Sequence, residues 1–178
     1  MDTAWKYDST RSNYDGVFFT VGFSRNDGIV SSVIRWITRS KVSHCWFSFK
    51  MANTPLLFHA DFLGVCIGSK AAFALENTVV AEFEMRIDFA PVIDEMLRDL
   101  GAAYDYAGIV GHLWVLLGRV FGRQWENPLQ RKDRWYCSEM VSYFLKECGE
   151  DVKLPPASIS PDCLMRFLET SNRACKID

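Results

Sequence analysis

The sequence has little of the charge that nucleic-acid-binding chains carry. Its 178 residues include 20 basic and 22 acidic side chains, a net charge of −2, so its overall field does not attract a polyanion. The one stretch richer in basic residues, 119–134, is more typical of a solvated loop. We therefore expect no nucleic-acid partner.

The sequence also lacks the pattern of a signal peptide or a membrane span. Residues 1–16 are polar and have no apolar core. The longest apolar run, 106–118, is shorter than the roughly 20 residues that a spanning helix needs, and His112 interrupts it. We expect a buried helix here and no integral membrane span. The alternative is contact with a membrane surface through the large apolar side chains Leu113, Trp114, Leu116 and Leu117.

The six cysteines form no CxxC pair and no His/Cys cluster with zinc-finger spacing. We therefore expect no structural metal and no cofactor. Without a secretory signal, free thiols in a reducing compartment are the expectation. This favours a cytoplasmic protein, or one delivered to a virion or a cell wall by another route. The six are Cys45, Cys66, Cys137, Cys148, Cys163 and Cys175.

The remaining composition is typical of one well-packed α+β domain. Hydrophobic residues make up 49% of the chain and aromatic residues 14%, enough for a single core over residues 1–178, with 1–14 as an irregular N-terminal arm. The order of predicted elements favours an antiparallel sheet packed against helices. A turn is predicted at 51–55, because Pro55 cannot continue a strand ladder. Periodicity predicts strands at 16–23, 42–50, 56–60, 63–68 and 78–87, and helices at 28–39, 91–101, 105–121, 140–148 and 161–170.

Cys137 is the strongest candidate for chemistry. It lies in DRWYCSEMVSYF, at or just before the first turn of its predicted helix, where unpaired N–H groups and the positive end of the helix dipole favour a thiolate. The same N–H groups can stabilise the oxyanion that forms when the thiolate attacks a carbonyl. The alternative is a small buried hydrophobic residue, which is our expectation for Cys148 in mid-helix.

Two histidines on predicted strands are candidate partners of this thiol. His44 can take the thiol proton if its strand holds it beside the helix start; otherwise it is a histidine satisfied by backbone groups. His59 can fix the tautomer of His44. The two share a face only if the residue numbers paired across their strands sum to an odd value. Asp61 has the parity of His59 and is the reserve third residue.

The order of these residues resembles the circularly permuted NlpC-type branch of the papain-like cysteine peptidases. The similar stretches are GVFFTVGFSRNDGIVSSVIRWITRS, KVSHCWFSF, LLFHADFLGV and WYCSEMVSYFL, which together cover about residues 15–148. The resemblance implies a permuted papain-like fold and a catalytic triad of Cys137, His44 and His59. By analogy with relatives that use a tyrosine, it also implies that Tyr104 or Tyr106 contributes to the oxyanion hole.

Two departures from the family pattern affect the expected substrate. Many bacterial relatives have a carboxylate at the third position, where this sequence has His59. A histidine there is also similar to the lecithin–retinol acyltransferase-like branch, which transfers acyl groups from lipids. The Gly-Asp start that is common in relatives is reversed here, as Asp15-Gly16.

Three functions stay open on this sequence. The first is a cysteine peptidase or amidase that cleaves an amide bond, such as one in peptidoglycan, through an acyl-enzyme. The second uses the same triad on a lipid ester or thioester. The third is a non-catalytic structural or binding module, for example in a virion, on a degenerate fold. The sequence fixes neither the substrate nor the oligomeric state.

Overall fold

The structure is a computed structural model that describes residues 19–123, 125, 128–129, 134–153 and 155–177. The predicted irregular arm at 1–14 lies outside the described residues, and so does the start of the first predicted strand, at 16–18. The described residues form strands and helices in the order that the sequence predicts, with four additions.

The helices and strands alternate only in part along the chain. The strands are β1 (Thr20–Arg25), β2 (His44–Met51), β3 (Thr54–Asp61), β4 (Gly64–Ser69), β5 (Thr78–Met85), β6 (Ala103–Tyr104), β7 (Arg134–Trp135) and β8 (Ala174–Ile177). The helices are α1 (Ile29–Thr38), α2 (Lys70–Glu76), α3 (Ala90–Arg98), α4 (Tyr106–Val120), α5 (Cys137–Glu147) and α6 (Pro161–Thr170). The sequence pattern does not predict α2, β6, β7 or β8.

Six of the strands form one antiparallel sheet in the order β4-β3-β2-β1-β5-β8. Strands β6 and β7 form a separate short parallel pair. Helix α5 packs on β2 and β3, and α3 and α6 pack on α5. The predicted α+β class, with an antiparallel sheet packed against helices, is confirmed.

The β2–β3 hairpin differs from its prediction at Pro55. Only Ala52 and Asn53 form the turn, both with positive φ (47° and 65°), as a tight two-residue hairpin requires. Strand β3 begins before the proline, and Pro55 pairs with Lys50. The prediction of a turn over 51–55 is therefore wrong at its end. The reason is that β4 pairs with β3 only from Leu56 onward, so Pro55 lies where β3 is an edge strand.

The two faces of β2 have different neighbours. Cys45 and Phe47 belong to the buried core, and the Phe47 ring contacts Phe144 of α5 at a centroid distance of 6.5 Å. His44 and Trp46 alternate with them and pack against a ring of α2, Phe73. Helices α5 and α2 therefore cover opposite faces of the sheet.

Helix α4 corresponds to the longest apolar run of the sequence. No helix in the described part of the chain is long and apolar enough to cross a membrane. Val115 is buried, whereas Tyr106, Val110 and Trp114 are exposed, so the prediction of a buried helix is only partly right. The side chains of His112, Leu113, Leu116 and Leu117 lie outside the described part.

Candidate active site

Cys137 is the first residue of α5 and is buried, with 5% of its surface exposed. The helix forms because its buried apolar side chains recur at helical spacing on the side that packs against the sheet. Tyr136, the residue before the helix, gives no side-chain cap. The N–H groups of the first turn therefore surround the start of the helix, where the sulfur lies. The buried apolar residues are Met140, Val141, Phe144 and Leu145.

Three groups hydrogen-bond the sulfur of Cys137. The pKa of Cys137 lies well below its ordinary value of 9.0, first because the Cys45 thiol donates a hydrogen bond to the thiolate. His44 lowers this pKa further through its charge and through a hydrogen bond, and the backbone N–H of Cys45 adds a third. Burial opposes them, because it favours the neutral thiol. The arrangement therefore favours a thiolate at Cys137.

Cys45 is a part of this site that the sequence analysis missed. Burial raises its pKa well above the ordinary value, and so do the hydrogen bond and the charge of Cys137. Of the two thiols, Cys137 ionises and Cys45 keeps its proton as the donor, because only Cys137 has the imidazole beside it. The signal for it in the sequence was limited to strand alternation, which turns Cys45 to the face of β2 opposite to that of His44.

The starts of β2 and α5 meet where the β2–β3 ladder has ended. The paired residues run from Met51 with Thr54 to Phe47 with Phe58. Beyond Phe47, the first residues of β2 have no partner on β3, although β3 continues to Asp61. His44, the first residue of β2, therefore lies where the two strands have parted, and there it meets Cys137.

His44 and His59 lie on one face and contact each other. The pairing of Phe47 with Phe58 has the odd parity that this requires, and His44 Nε2 lies 3.2 Å from His59 Nδ1. Nδ1 of His44 is then the nitrogen left for Cys137. Burial lowers the pKa of His59 to about 4, and the charge of His44 contributes. His59 is therefore neutral at pH 7 and can accept or donate a hydrogen bond.

Aromatic rings hold His44 in place. The imidazole ring of His44 stacks on Trp46 with an interplanar angle of 28°. The centroid of the Phe73 ring of α2 lies 5.8 Å from the centroid of the His44 ring. Trp46 in turn lies over Gly22 of β1, where a Cβ atom would collide with the indole. Gly22 is therefore required for the position of Trp46, and through it for that of His44.

The two candidate tyrosines differ in their relation to the sulfur. Burial is the main reason that the pKa of Tyr104 is raised well above 10.0, and the charge of Cys137 contributes. Its hydroxyl is therefore protonated at neutral pH and can donate. The Tyr106 hydroxyl instead donates to the carbonyl oxygen of Phe62 at 2.8 Å, and its side chain is exposed. Of the two tyrosines, Tyr104 is therefore the one with an electrostatic link to Cys137, and the Tyr106 hydroxyl has another partner.

Asp61 lies beyond His59 rather than beside His44. Its Oδ1 accepts a hydrogen bond from the N–H of Leu63 at 2.8 Å, and its Oδ2 accepts one from the Cys66 thiol at 3.8 Å. Cys66 Sγ also lies 3.4 Å from His59 Nε2. The pKa of Cys66 is raised to about 11 by burial and by the charge and hydrogen bond of Asp61. The sequence analysis did not predict Cys66 as a neighbour of the site.

Comparisons with protein-family models and with curated proteins identify no relative of this chain. The chain matches no protein-family model, and a comparison with curated proteins also gives no match.

Proposed function

We propose that this protein is a cysteine hydrolase in which Cys137 is the nucleophile, His44 its base and His59 the residue that orients the base. One observation carries the proposal: a thiolate-favouring cysteine at a helix start hydrogen-bonds an imidazole that is itself hydrogen-bonded to a second imidazole. Acyl transfer needs a nucleophile that is hydrogen-bonded to a base, and a third group that is hydrogen-bonded to the base and orients it.

The proposed reaction has two halves. His44 takes the Cys137 proton, and the thiolate attacks the carbonyl carbon to form a tetrahedral oxyanion. N–H groups at the start of α5 and the protonated hydroxyl of Tyr104 are the donors available to that oxyanion. The carbon–nitrogen bond then breaks, the leaving amine takes the proton from His44, and an acyl-enzyme remains. Water, deprotonated by His44, attacks the thioester and releases the acid and the thiol.

An amide bond is the first substrate class that we propose. The support is the resemblance of the four matching stretches to permuted NlpC-type peptidases, whose chemistry implies a peptide such as that of peptidoglycan. The buried environment of the sulfur also suits this reaction, because a dry site strengthens the hydrogen bonds to the oxyanion. The contact between Cys137 and His44 counts against a purely structural role on a degenerate fold.

A lipid ester or thioester is the second substrate class, and an exposed apolar surface favours it. Tyr106 and Val110 lie one turn apart on α4, with 57% and 59% of their surfaces exposed. Phe62 and Leu63, in the β3–β4 turn, are 71% and 79% exposed, and the hydrogen bond from Tyr106 to Phe62 joins the two segments. Tyr104 contacts Tyr106 at a centroid distance of 5.0 Å. We call Phe62, Leu63, Tyr106, Val110 and Trp114 the apolar rim; such a surface suits an acyl chain or a headgroup layer.

A thiol-directed acyl probe tests the nucleophile. The wild-type protein should become labelled at Cys137 and then lose the label by hydrolysis, as read by mass spectrometry of the peptide. Cys137→Ala should abolish labelling, and His44→Ala should slow it by about 100-fold or more. Cys175→Ser, which changes an exposed cysteine on β8, is the control and should be labelled like wild type. Equal labelling of Cys137→Ala and wild type would refute the assignment.

A further inference from the structure

A second cluster of potential metal ligands shares His59 with the proposed triad. The nitrogen, oxygen and sulfur donors of His59, Asp61 and Cys66 all lie within 4.8 Å of one another. Strand register brings them together: His59 pairs with Cys66 and Asp61 with Gly64 across β3 and β4, so all three side chains share one face. Gly64 adds no side chain opposite Asp61, and the backbone of Ala102 lies against it instead.

Two of the three donor atoms of this cluster, those of His59 and Asp61, are directed by a hydrogen bond to another atom of the same side chain. His59 Nδ1 faces His44 Nε2, which leaves Nε2 for the cluster. Asp61 Oδ1 accepts from the N–H of Leu63, which leaves Oδ2. A histidine whose other ring nitrogen has a fixed partner is the usual form of a metal ligand, because that partner sets the tautomer and the ring orientation.

The distances and the donor types fit zinc. Tetrahedral Zn²⁺ with ordinary bond lengths requires ligand atoms about 3.5 Å apart. Two of the three separations are close to this value, 3.4 Å between Cys66 Sγ and His59 Nε2 and 3.8 Å between Cys66 Sγ and Asp61 Oδ2, and the donor atoms of His59 and Asp61 lie within 4.8 Å of each other. Imidazole, thiolate and carboxylate are the three ligand types that zinc takes in proteins. Asp61 and Cys66 are partly exposed, so the cation has a path in and the fourth position can hold water.

We propose that His59, Asp61 and Cys66 form a binding site for a thiophilic divalent cation, Zn²⁺ being the best fit, and that the bound cation switches off the base His44. Binding replaces the Cys66 S–H bond by a sulfur–metal bond and releases that proton to solvent. The second half of this inference rests on the proposed function; the first half does not.

The switch follows from where the ring protons must lie. A cation on His59 Nε2 confines the ring proton of His59 to Nδ1, which then donates to His44 Nε2. His44 Nε2 must accept that hydrogen bond, so its own proton lies on Nδ1, the nitrogen that faces Cys137. His44 then cannot take the thiol proton, and the imidazolium form would place two N–H groups against each other. Metal binding at the cluster therefore removes the base without touching the sulfur.

Cobalt binding tests the site independently of any activity. Metal-free Cys137→Ala protein is titrated with Co²⁺, followed by its thiolate-to-cobalt absorption, and the Co²⁺ is then displaced by Zn²⁺. We expect one thiolate-bound Co²⁺ per chain. Adding Cys66→Ser should abolish the thiolate band and weaken Zn²⁺ binding by at least about 100-fold, since even outer-shell changes cost 10 to 100-fold. Adding Cys175→Ser instead should change neither. Absence of the band with Cys66 intact, or its persistence in Cys66→Ser, would overturn the site.

Alkylation of Cys137 tests the switch. With Cys137 present, Zn²⁺ should slow iodoacetamide alkylation of this residue at pH 7 by about tenfold or more in wild type, and should have no effect in Cys66→Ser. Equal slowing in both proteins would mean that Zn²⁺ binds Cys137 and His44 directly, and would overturn the switch. Failure of the acyl-probe labelling with intact cobalt binding would refute the proposed function but leave the metal site standing.

Discussion

Cys45 is the residue whose contribution to the site is clearest in the structure. Its thiol and its backbone N–H both hydrogen-bond the sulfur of Cys137, and the thiol is the first cause of the lowered pKa there. A hydrogen bond to a charged group is worth about 1.5 to 3 kcal/mol. Cys45 therefore matters for the ionisation of Cys137, the proposed nucleophile.

We predict that Cys45→Ala makes Cys137 a weaker acid. Alkylation requires the thiolate, so the rate falls below the pKa of Cys137 and is constant above it. Because the substitution removes a donor that stabilises the charged form, the midpoint of the pH–rate profile should move up by about 1 to 2 pH units. Stopped-flow alkylation from pH 5 to 9, with the modified peptide identified by mass spectrometry, measures this.

Cys45→Ser is the matched variant, because its hydroxyl can still donate to the thiolate. The midpoint of its pH–rate profile should lie close to that of wild type. If Cys45 had only a structural role, the midpoint would be unchanged in both variants. Cys148→Ser, at the far end of α5, should behave like wild type. An unchanged midpoint in Cys45→Ala would show that the hydrogen bond does not control the thiol.

The sequence predicts the residues of this site better than their contacts. The sequence predicted that His44 and His59 share a face if the residue numbers paired across their strands sum to an odd value, because side chains alternate between the two faces of a strand. Cys45 was not, since neighbours on a strand face opposite sides and the sequence does not say which side the helix covers. Cys66 was missed for a related reason: its approach to His59 depends on the β3–β4 register. The catalytic roles of Cys137, His44 and His59 stay predictions.

At the scale of elements, a glycine of β1 determines where β2 can place its side chains. Gly22 pairs with Trp46, whose indole occupies the space of the missing Cβ and stacks on His44. We predict that Gly22→Ala destabilises the protein by about 1 to 3 kcal/mol, the usual cost of overpacking a well-filled site. Urea unfolding followed by tryptophan fluorescence measures this.

The matched control for Gly22→Ala is Gly68→Ala on β4. A Cβ atom at Gly68 would meet only His59 Nε2, at an ordinary contact distance of 3.8 Å, so its midpoint in urea should change little. The Gly22 variant should also alkylate Cys137 more slowly at pH 7, because His44 loses its stacking partner. Equal stability of the two variants would contradict the role given to Trp46.

Helix α2 shows why some elements could not be predicted. It has only seven residues and no buried side chain, so its sequence carries no clear helical period. What starts it is Ser69, whose Oγ accepts from the N–H of Ala72 at 3.4 Å. The longer amphipathic helices α5 and α6 were predicted, because their apolar faces pack on other elements. Strand β8 was missed since its four residues are set by pairing with β5.

At the scale of the whole molecule, the apolar rim lies at one edge of the sheet. The β3–β4 turn carries Phe62 and Leu63, and α4 carries the exposed Val110. We predict that wild-type protein binds vesicles of mixed neutral and anionic phospholipids, and that Phe62→Glu with Val110→Glu reduces this binding by about tenfold or more, since charged groups do not enter the acyl boundary. Vesicle sedimentation measures the bound fraction.

Ile177→Glu is the control for the apolar rim. Ile177 is also an exposed apolar residue, but it lies on β8, at the opposite edge of the sheet. Vesicle binding that both variants lose equally, or that wild type lacks, would remove the support for a lipid substrate. Binding lost only in the rim variant, together with faster hydrolysis of long-chain than of short-chain esters, would favour the lipid ester over the amide.

The two histidines come from a single tight hairpin, whereas the sulfur comes from a helix much later in the chain. Contacts within a hairpin form early and at low entropic cost, while docking of α5 must wait for most of the chain. Before that docking, Cys137 has neither an imidazole nor the Cys45 thiol beside it, and is an ordinary, weakly acidic cysteine. The lowered pKa of Cys137 therefore belongs to the docked helix, and a partly folded chain in which only the hairpin has formed does not have it.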